Sequence, residues 1–312
     1  MNHIMSGSLT SAQIAALVTA LRMKGETIDE IAGFVQAMRQ GSVKVPNVPR
    51  NVVDTCGTGG TKLDTFNIST ASAFVAAGAG VVIAKHGNRS ASSKSGSADV
   101  LEALDVNINI SPEEEAQALE KIGISFLFAR AHHPALKHAG PTRKEIGVRT
   151  IFNMIGPMTN PAGAKTQLMG VFAGVETAKI AGVLQKLGSE RVMVVHGNDG
   201  LDEITLTSET EISEFKNGEI KFYRIKPEDF GMEKCSLKDI SGGEPEENAK
   251  IIREIFEGKE GPKSDIVALN AGAVIYLAGL AKTHIEGVLK AKEMIKSGAA
   301  LEKLNKLIEF TN

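Results

Sequence analysis

Cysteine is scarce in this chain. Cys56 and Cys235 are the only two in 312 residues, too few for a disulfide framework or a thiolate metal site, and a reducing, cytoplasmic setting is the expectation. Long apolar runs are missing too. No stretch approaches the roughly 18 residues needed to cross a bilayer, and the opening MNHIMSGSLT lacks the basic region and hydrophobic run of a signal peptide. Nor does charge of one sign dominate. Lys and Arg total 35 against 37 Asp and Glu, a formal net charge of -2, so nothing supplies a global positive field for nucleic acid, and a cationic site has to be a local pocket. The absence of a fixed internal period argues against a solenoid or a coiled coil.

Glycine, by contrast, is abundant. The 32 glycines exceed the usual fraction, and many stand beside Ser, Thr or Asn between apolar runs, as turns near a ligand would require. The chain is long enough for one major α/β domain with a smaller partner. Thr10 caps a helix over SAQIAALVTALRMKG, with Ile14, Leu17, Leu21 and Met23 as its apolar side and Gly25 as its stop. Thr27 caps a second helix, with Asp29 and Glu30 at the favourable end of its dipole. The proline-bearing connector SVKVPNVPR follows as a hinge.

From NVVDTCGTGG onward the pattern alternates: short strand and glycine loop, helix in ASAFVAAGAG, strand VVIAKHG, helix ADVLEAL, short strand VNINI, a helix from Ser111 and Pro112 through Lys121, strand ISFLFA. This predicts a largely parallel central sheet flanked by helices, with a smaller all-helical domain. The binding edge then lies at the carboxyl ends of the strands. A helical stretch with Pro134, Pro141, Pro157 and Pro161 interrupts the alternation and packs on the opening helices. A helix near residues 172–187, the strand RVMVVHG, an antiparallel addition in residues 210–245, a helix near 245–257, the apolar segment DIVALNAGAVIYLAGLA and one charged amphipathic helix ending near Leu307 complete the chain. The resulting division is residues 1–45 for the helical domain, 46–130 for the α/β domain, 131–155 for a helical segment packing on the small domain, and 156–312 for the remaining α/β part.

Two loops that follow strands carry the chemistry. In CGTGGT, Gly57, Gly59 and Gly60 let backbone N–H groups approach phosphate oxygens, although an ordinary turn has the same composition. Asn67, Ser69 and Thr70 stand at the start of the next helix, where they serve as an anion site or a plain cap. KHGNRSASSKSGSAD combines the cations Lys85, Arg89 and Lys94 with the neutral donors Asn88, Ser90, Ser93 and Ser97. A diphosphate bearing a sugar needs that mixture. His86 reads equally as core. Asp202 and Glu203 in GNDGLDE suit magnesium, with Ser69 as a third contact, and Asp199 shapes their turn. Arg143 has a fork suited to a carboxylate and no facing helical acid, with Arg149 as its rival. His132, His133 and His138 lack a recognised zinc spacing, and Met154, Met158 and Met169 read as packing.

In order, DTCGTGG, TFNIST, KHGNRSASSKSGSADVLEAL, HHPALKHAGPTRKEIGVRTIFNMIGPMTNP and HGNDGLDE closely resemble the anthranilate phosphoribosyltransferase family, from about residue 10 to the C-terminus. The resemblance implies a nucleoside phosphorylase/phosphoribosyltransferase-like fold and transfer of the 5-phosphoribosyl group to the amine of anthranilate, in tryptophan biosynthesis. It also implies that Gly57, Gly60, Thr61, Thr65, Asn67, Ile68, Ser69, Thr70, Lys85, His86, Gly87, Asn88, Arg89, Ser90, Ala91, Ser92, Ser93 and Ser97 handle phosphoribosyl diphosphate. Asn88 and Arg143 then contact anthranilate; Lys85, Asn88 and Arg143 form the catalytic set, and Ser69, Asp202 and Glu203 hold Mg2+. The family usually has aspartate where this chain has Thr61, followed here by Lys62, and proline where it has Arg130. The first of these bears on donor affinity and metal dependence. Members usually carry a further helix before the segment matching IMSGSLT, which leaves the family's homodimer open for this chain. Competing readings are phosphorolysis of a pyrimidine nucleoside, a different acceptor for the same donor, and a silent phosphate-sensing protein.

Overall fold

The capped opening helices form as their sequences dictate. In the computed structural model, which describes residues 1–61, 63–90, 93–172 and 174–312, Thr10 and Thr27 each close a capping box, with Gln13 and Glu30, over the helices Ser11–Lys24 and Ile28–Gln40. A short helix, Asn2–Met5, precedes them and buries Ile4. The inward stripe of the first long helix is Ile14, Val18 and Leu21, whereas Leu17 is 37% and Met23 81% exposed. Residues four and seven positions after Ile14 share its face, and Met23, nine positions on, falls on the opposite side.

The sheet has seven strands: β1 (Val53–Asp54), β2 (Ile83–Gly87), β3 (Ile124–Phe128), β4 (Thr166–Gly170), β5 (Arg191–Gly197), β6 (Thr210–Lys216) and β7 (Glu219–Ile225), in the order β3-β2-β1-β4-β5-β6-β7. The pairs from β3 to β5 are parallel, and β6 and β7 continue antiparallel at one edge. Alternate residues pack in different cores. Met193 and Val195 of β5 join the core beneath the helices Ile68–Gly78 and Pro262–Leu277, while Val192 and Val194 join the core shared with the opening helices and Thr177–Lys186. This two-sided burial is what a parallel sheet demands.

Four readings of the sequence change. VNINI is not a strand: Val106 and Ile108 are buried, but the Asn107 backbone N–H donates to Thr311 Oγ1 and its side chain to the Thr311 carbonyl, so the C-terminal helix takes the bonds a sheet neighbour would have used. TQLMG, unassigned in the sequence, supplies the central strand β4. The helix expected near residues 172–187 is shorter, Thr177–Lys186. The closing amphipathic segment is two helices, His284–Lys296 and Ala299–Thr311, separated at Gly298 with φ of 77°. Among the described residues no helix is long and apolar enough to cross a membrane.

The helix Pro112–Lys121 has the expected Ser111–Glu114 capping box, and its Glu115 is buried against His132 at 2.9 Å. The other ring nitrogen of His132 meets the Val43 carbonyl at 2.8 Å, while the Val43 N–H donates to the His132 carbonyl. The proline-bearing connector is therefore pinned at its start. Removing one partner of a buried pair strands the other, so Glu115→Ala should cost roughly 3–5 kcal/mol, against about 1 kcal/mol for Ser111→Ala at the cap. Urea unfolding of the two variants checks the order, and equal small losses would show that the pair does not pin the connector.

Candidate active site

β1 and β2 lie side by side, so the loops leaving their carboxyl ends emerge together. Asp54, the last residue of β1, is fully buried and fixes that junction. Its Oδ1 accepts the backbone N–H groups of Thr55 at 2.7 Å, Cys56 at 3.1 Å and His86 at 3.1 Å, and its Oδ2 accepts Asn160 Nδ2 at 2.8 Å. Asn160 also donates to the Ala84 carbonyl at 2.8 Å. Burial pushes the Asp54 carboxyl up to about 6, opposed by Asn160, Lys85 and the backbone donors; both oxygens meet only N–H donors and no acceptor, so the hydrogen bonds favour its ionised form.

Around this junction opens a cleft of about 360 Å³, within the range of small-molecule sites. It is lined by Gly57, Gly60, Thr61, Thr65, Asn67, Ile68, Ser69, Lys85, His86, Gly87, Asn88, Arg89, Ser90, Ser93, Ser97, Arg143, Asp202 and Glu203. The two glycine-bearing loops, far apart in sequence, thus share one cavity. Thr70 is fully buried behind them and does not border it. Ala91, Ser92 and Lys62 lie outside the described residues.

Lys85 is 2% exposed, and its ammonium donates to Thr55 Oγ1 at 3.0 Å and Ser69 Oγ at 3.3 Å. Burial lowers its pKa, opposed by Asp54 and Glu203 among its neighbours. Across the cleft Asp202 Oδ2 accepts the Gly59 N–H at 2.6 Å. A Cβ on Gly57 would stand 2.8 Å from that same oxygen, and one on Gly170 only 1.6 Å from the Asp202 carbonyl oxygen, so glycine at both positions lets the acidic turn approach the loop. Burial pushes up both the Asp202 and Glu203 carboxyls. The adjacent Asp202 charge raises Glu203 further, against Lys85 and the Ser69 backbone N–H. Asp199 stays in the turn, accepting from Leu201, Thr205 and Thr207.

The cations divide differently from the sequence reading. Arg89 pairs with Asp99 at 3.0 Å and Glu102 at 2.5 Å, and Lys94 lies 3.7 Å from Asp64. Among the described residues, the cleft-lining positive charge without a carboxylate partner within salt-bridge reach therefore comes from Lys85 and Arg143. The Arg143 guanidinium rests 5.3 Å from the Phe152 ring centroid and meets no carboxylate among the described residues, and burial lowers its pKa. Its rival Arg149 instead donates to the Gly60 carbonyl, stacks 4.1 Å from the Phe172 centroid, and is not part of the cleft lining.

The family models agree with this architecture. A glycosyl transferase family helical bundle domain matches residues 1–42, and a glycosyl transferase family a/b domain matches residues 49–301. The anthranilate phosphoribosyltransferase of Acetivibrio thermocellus is 54% identical over 310 residues, covering 99% of this chain and 90% of that protein. The chain belongs to the anthranilate phosphoribosyltransferase family. A crystal structure of the Thermus thermophilus family member superposes with a TM-score of 0.95 at 43% identity, covering 99% of this chain and 93% of that one. The Saccharomyces cerevisiae enzyme in complex with phosphoribosyl diphosphate and Mg gives 0.88 at 29% identity, covering 96% and 85%.

Several lining residues of this family member escaped sequence reasoning. His133 borders the cleft, 5.3 Å from the His86 ring centroid and 3.3 Å from Thr159 Oγ1. Burial lowers the pKa of His133 to about 4 and that of His86 well below its ordinary value, which favours the uncharged form of each ring. His132 is taken up by Glu115, and Gly7 packs against His138, so the three histidines do not converge. Met158 and Met169 are fully buried and Met154 packs at the edge of the same core. Arg130 is exposed outside the cleft lining. No local pattern marks Asp54, Asn160 or His133, because each works through residues distant in sequence.

Asp54→Asn would set an amide N–H2 against the Asn160 N–H2 and loosen the register of the two loops. A misalignment of about 1 Å costs on the order of 10²-fold in rate, so kcat should fall by that order while the variant stays folded. Steady-state kinetics alongside a melting curve checks this, and a folded variant with unchanged kcat would remove the junction from any part in alignment.

Proposed function

We propose that the cleft transfers the 5-phosphoribosyl group of phosphoribosyl diphosphate to the amine of anthranilate, giving N-(5-phosphoribosyl)anthranilate and diphosphate, the family's step in tryptophan biosynthesis. The observation that carries this reading is the shared cavity of the two loops, which joins an oxygen-rich, phosphate-compatible wall to an uncommitted arginine. The loop around Gly57 and Gly60, the start of the helix Ile68–Gly78, Lys85 and the polar loop through Ser93 form the donor half. Asn88 and Arg143 form the acceptor half, beside the helical segment 131–155 that rests on the small domain.

Asp202, Glu203 and Ser69 fit a magnesium ion. They are hard oxygen donors, and two adjacent half-buried carboxylates, with Lys85 acting on Glu203 and Arg149 on Asp202, gain from a further positive charge to ionise together. Magnesium held there would neutralise the diphosphate as it leaves. The chain's own residues align the reactants. Arg143 grips the acceptor carboxylate, Asn88 orients the amine, and Lys85 holds the donor against the glycine loop. Substitution at the sugar C1 passes through an oxocarbenium-like state, so rate comes from alignment and fixed dipoles rather than from a covalent adduct.

Incubation with magnesium, phosphoribosyl diphosphate and anthranilate should consume anthranilate fluorescence, and no loss would overturn the reading. Arg143→Ala should raise the anthranilate KM at least tenfold and leave the donor KM nearly unchanged, since a charged hydrogen bond is worth about 1.5–3 kcal/mol. Equal effects on both substrates would reject its role. The double change Asp202→Asn with Glu203→Gln should abolish magnesium-stimulated turnover, and an unaltered magnesium titration would exclude the pair as ligands.

A further inference from the structure

Asn67 does not stand alone at the donor wall. Its Oδ1 accepts Ser95 Oγ at 3.1 Å and Asn248 Nδ2 at 3.0 Å, and its Nδ2 donates to the Ser95 carbonyl at 3.2 Å. Asn248 lies 181 positions away, in the first turns of the helix Pro245–Phe256, and is 1% exposed. It does not border the cleft. Its Oδ1 accepts the backbone N–H of Gly243 at 2.8 Å. A backbone N–H can only donate, so the Asn248 amide has one orientation: oxygen to Gly243, nitrogen to Asn67. Asn67 must then present oxygen to Asn248, which turns its own nitrogen to the Ser95 carbonyl.

The surrounding contacts hold this relay in place. The Gly242 N–H donates to the Asp64 carbonyl at 2.8 Å, and Ser241 bridges Thr65. A Cβ on Gly242 would lie 2.5 Å from both Asn248 Oδ1 and the Phe66 nitrogen, so the backbone of residues 241–243 is pressed against the segment leading into Asn67. Lys263 donates to the Ser241 carbonyl on the outer side. Three segments remote in sequence meet through neutral amides, and two of them, at Asn67 and at Ser95, face the cavity.

We propose that Asn248 is a positioning residue for phosphoribosyl diphosphate: through the fixed polarity of its amide it sets the orientation of Asn67 and anchors the Ser95 end of the polar loop. This rests on the assignment of that wall as the donor half. Asn248→Asp isolates the relay. It keeps the acceptor for Gly243 and places an acid in the first turns of a helix, where the dipole favours it, but it offers no N–H to Asn67. Asn67 then turns its nitrogen toward the new carboxylate and loses the Ser95 carbonyl.

Initial rates with magnesium, varying each substrate at saturating levels of the other, should show the donor KM raised about tenfold, the weight of one hydrogen bond. The anthranilate KM and kcat should stay within about twofold. Calorimetric titration with phosphoribosyl diphosphate and magnesium should show a matching loss of affinity without any turnover, so it tests the relay even if the wild-type protein fails to consume anthranilate, which would count against the assigned reaction instead. Where the Asp variant does not fold, Asn248→Ala carries the same expectation. Unchanged donor binding, or both KM values rising together, would overturn the proposal.

Discussion

One ionised carboxylate, buried with no solvent contact, sets the geometry of the cleft. Burying a charge is costly unless hydrogen bonds surround it, and Asp54 collects four donors: two from its own loop, one from His86 at the end of β2 and one from the Asn160 side chain. The arrangement fixes more than a single turn. It sets where the glycine loop leaves β1 relative to where the polar loop leaves β2, and it draws in the residue 160 turn, which leads back into β4. Gln167 of β4 closes the circuit by donating to the carbonyls of Cys56 and Pro157. Strand pairing alone would bring the loops to one edge of the sheet; the carboxylate decides how they meet.

The balance of charge inside the cleft follows a similar logic. A diphosphate donor is strongly anionic, yet the structure sends Arg89 to Asp99 and Glu102 and leaves Lys85 as the cation seated deepest. Asp202 and Glu203 face the same space and would repel the donor if nothing intervened. On the proposed assignment a hard divalent cation held by these acids would offset that repulsion, and Lys85, hydrogen-bonded to Thr55 and Ser69, stands on the same wall. Arg89 then has a structural part. Its pairs tie the polar loop to the helix Ser97–Ala103, which Asp99 reinforces by accepting from the Ser90 and Gly96 backbone.

Much of this was legible in the sequence because it is local. Capping residues, glycine loops after apolar runs and the acidic pair each announce themselves within a few positions, and the helices at Thr10, Thr27 and Ser111 formed as those residues require. The failures share a cause as well. VNINI has strand composition but no strand neighbour, β4 is short and begins with polar residues, and Arg89 reads as a free cation until Glu102 folds back on it. In each case a partner distant in sequence decides the outcome. The same holds for His133, which local spacing could only set against a zinc motif, and for Asp54, whose donors come in part from residues 86 and 160.

The two halves proposed for the cleft, donor and acceptor, are built to different standards. The donor half is held by directional bonds whose polarity is fixed from outside the site, through Asp54 on one side and Asn248 on the other. The acceptor half stands on the short helices Gly140–Ile146 and Phe152–Ile155, neither with a side-chain cap bond, and Arg143 is steadied there mainly by the Phe152 ring. Those helices lean on the opening helices rather than on the sheet. Under the proposed assignment, the hydrogen-bonded wall keeps the anomeric carbon in register, while the acceptor stands on the helical layer beside it. Alignment of two reactants asks for a fixed reference on each side of the bond that forms, and on the proposed assignment the loops of the sheet supply the donor's and the helical layer the acceptor's.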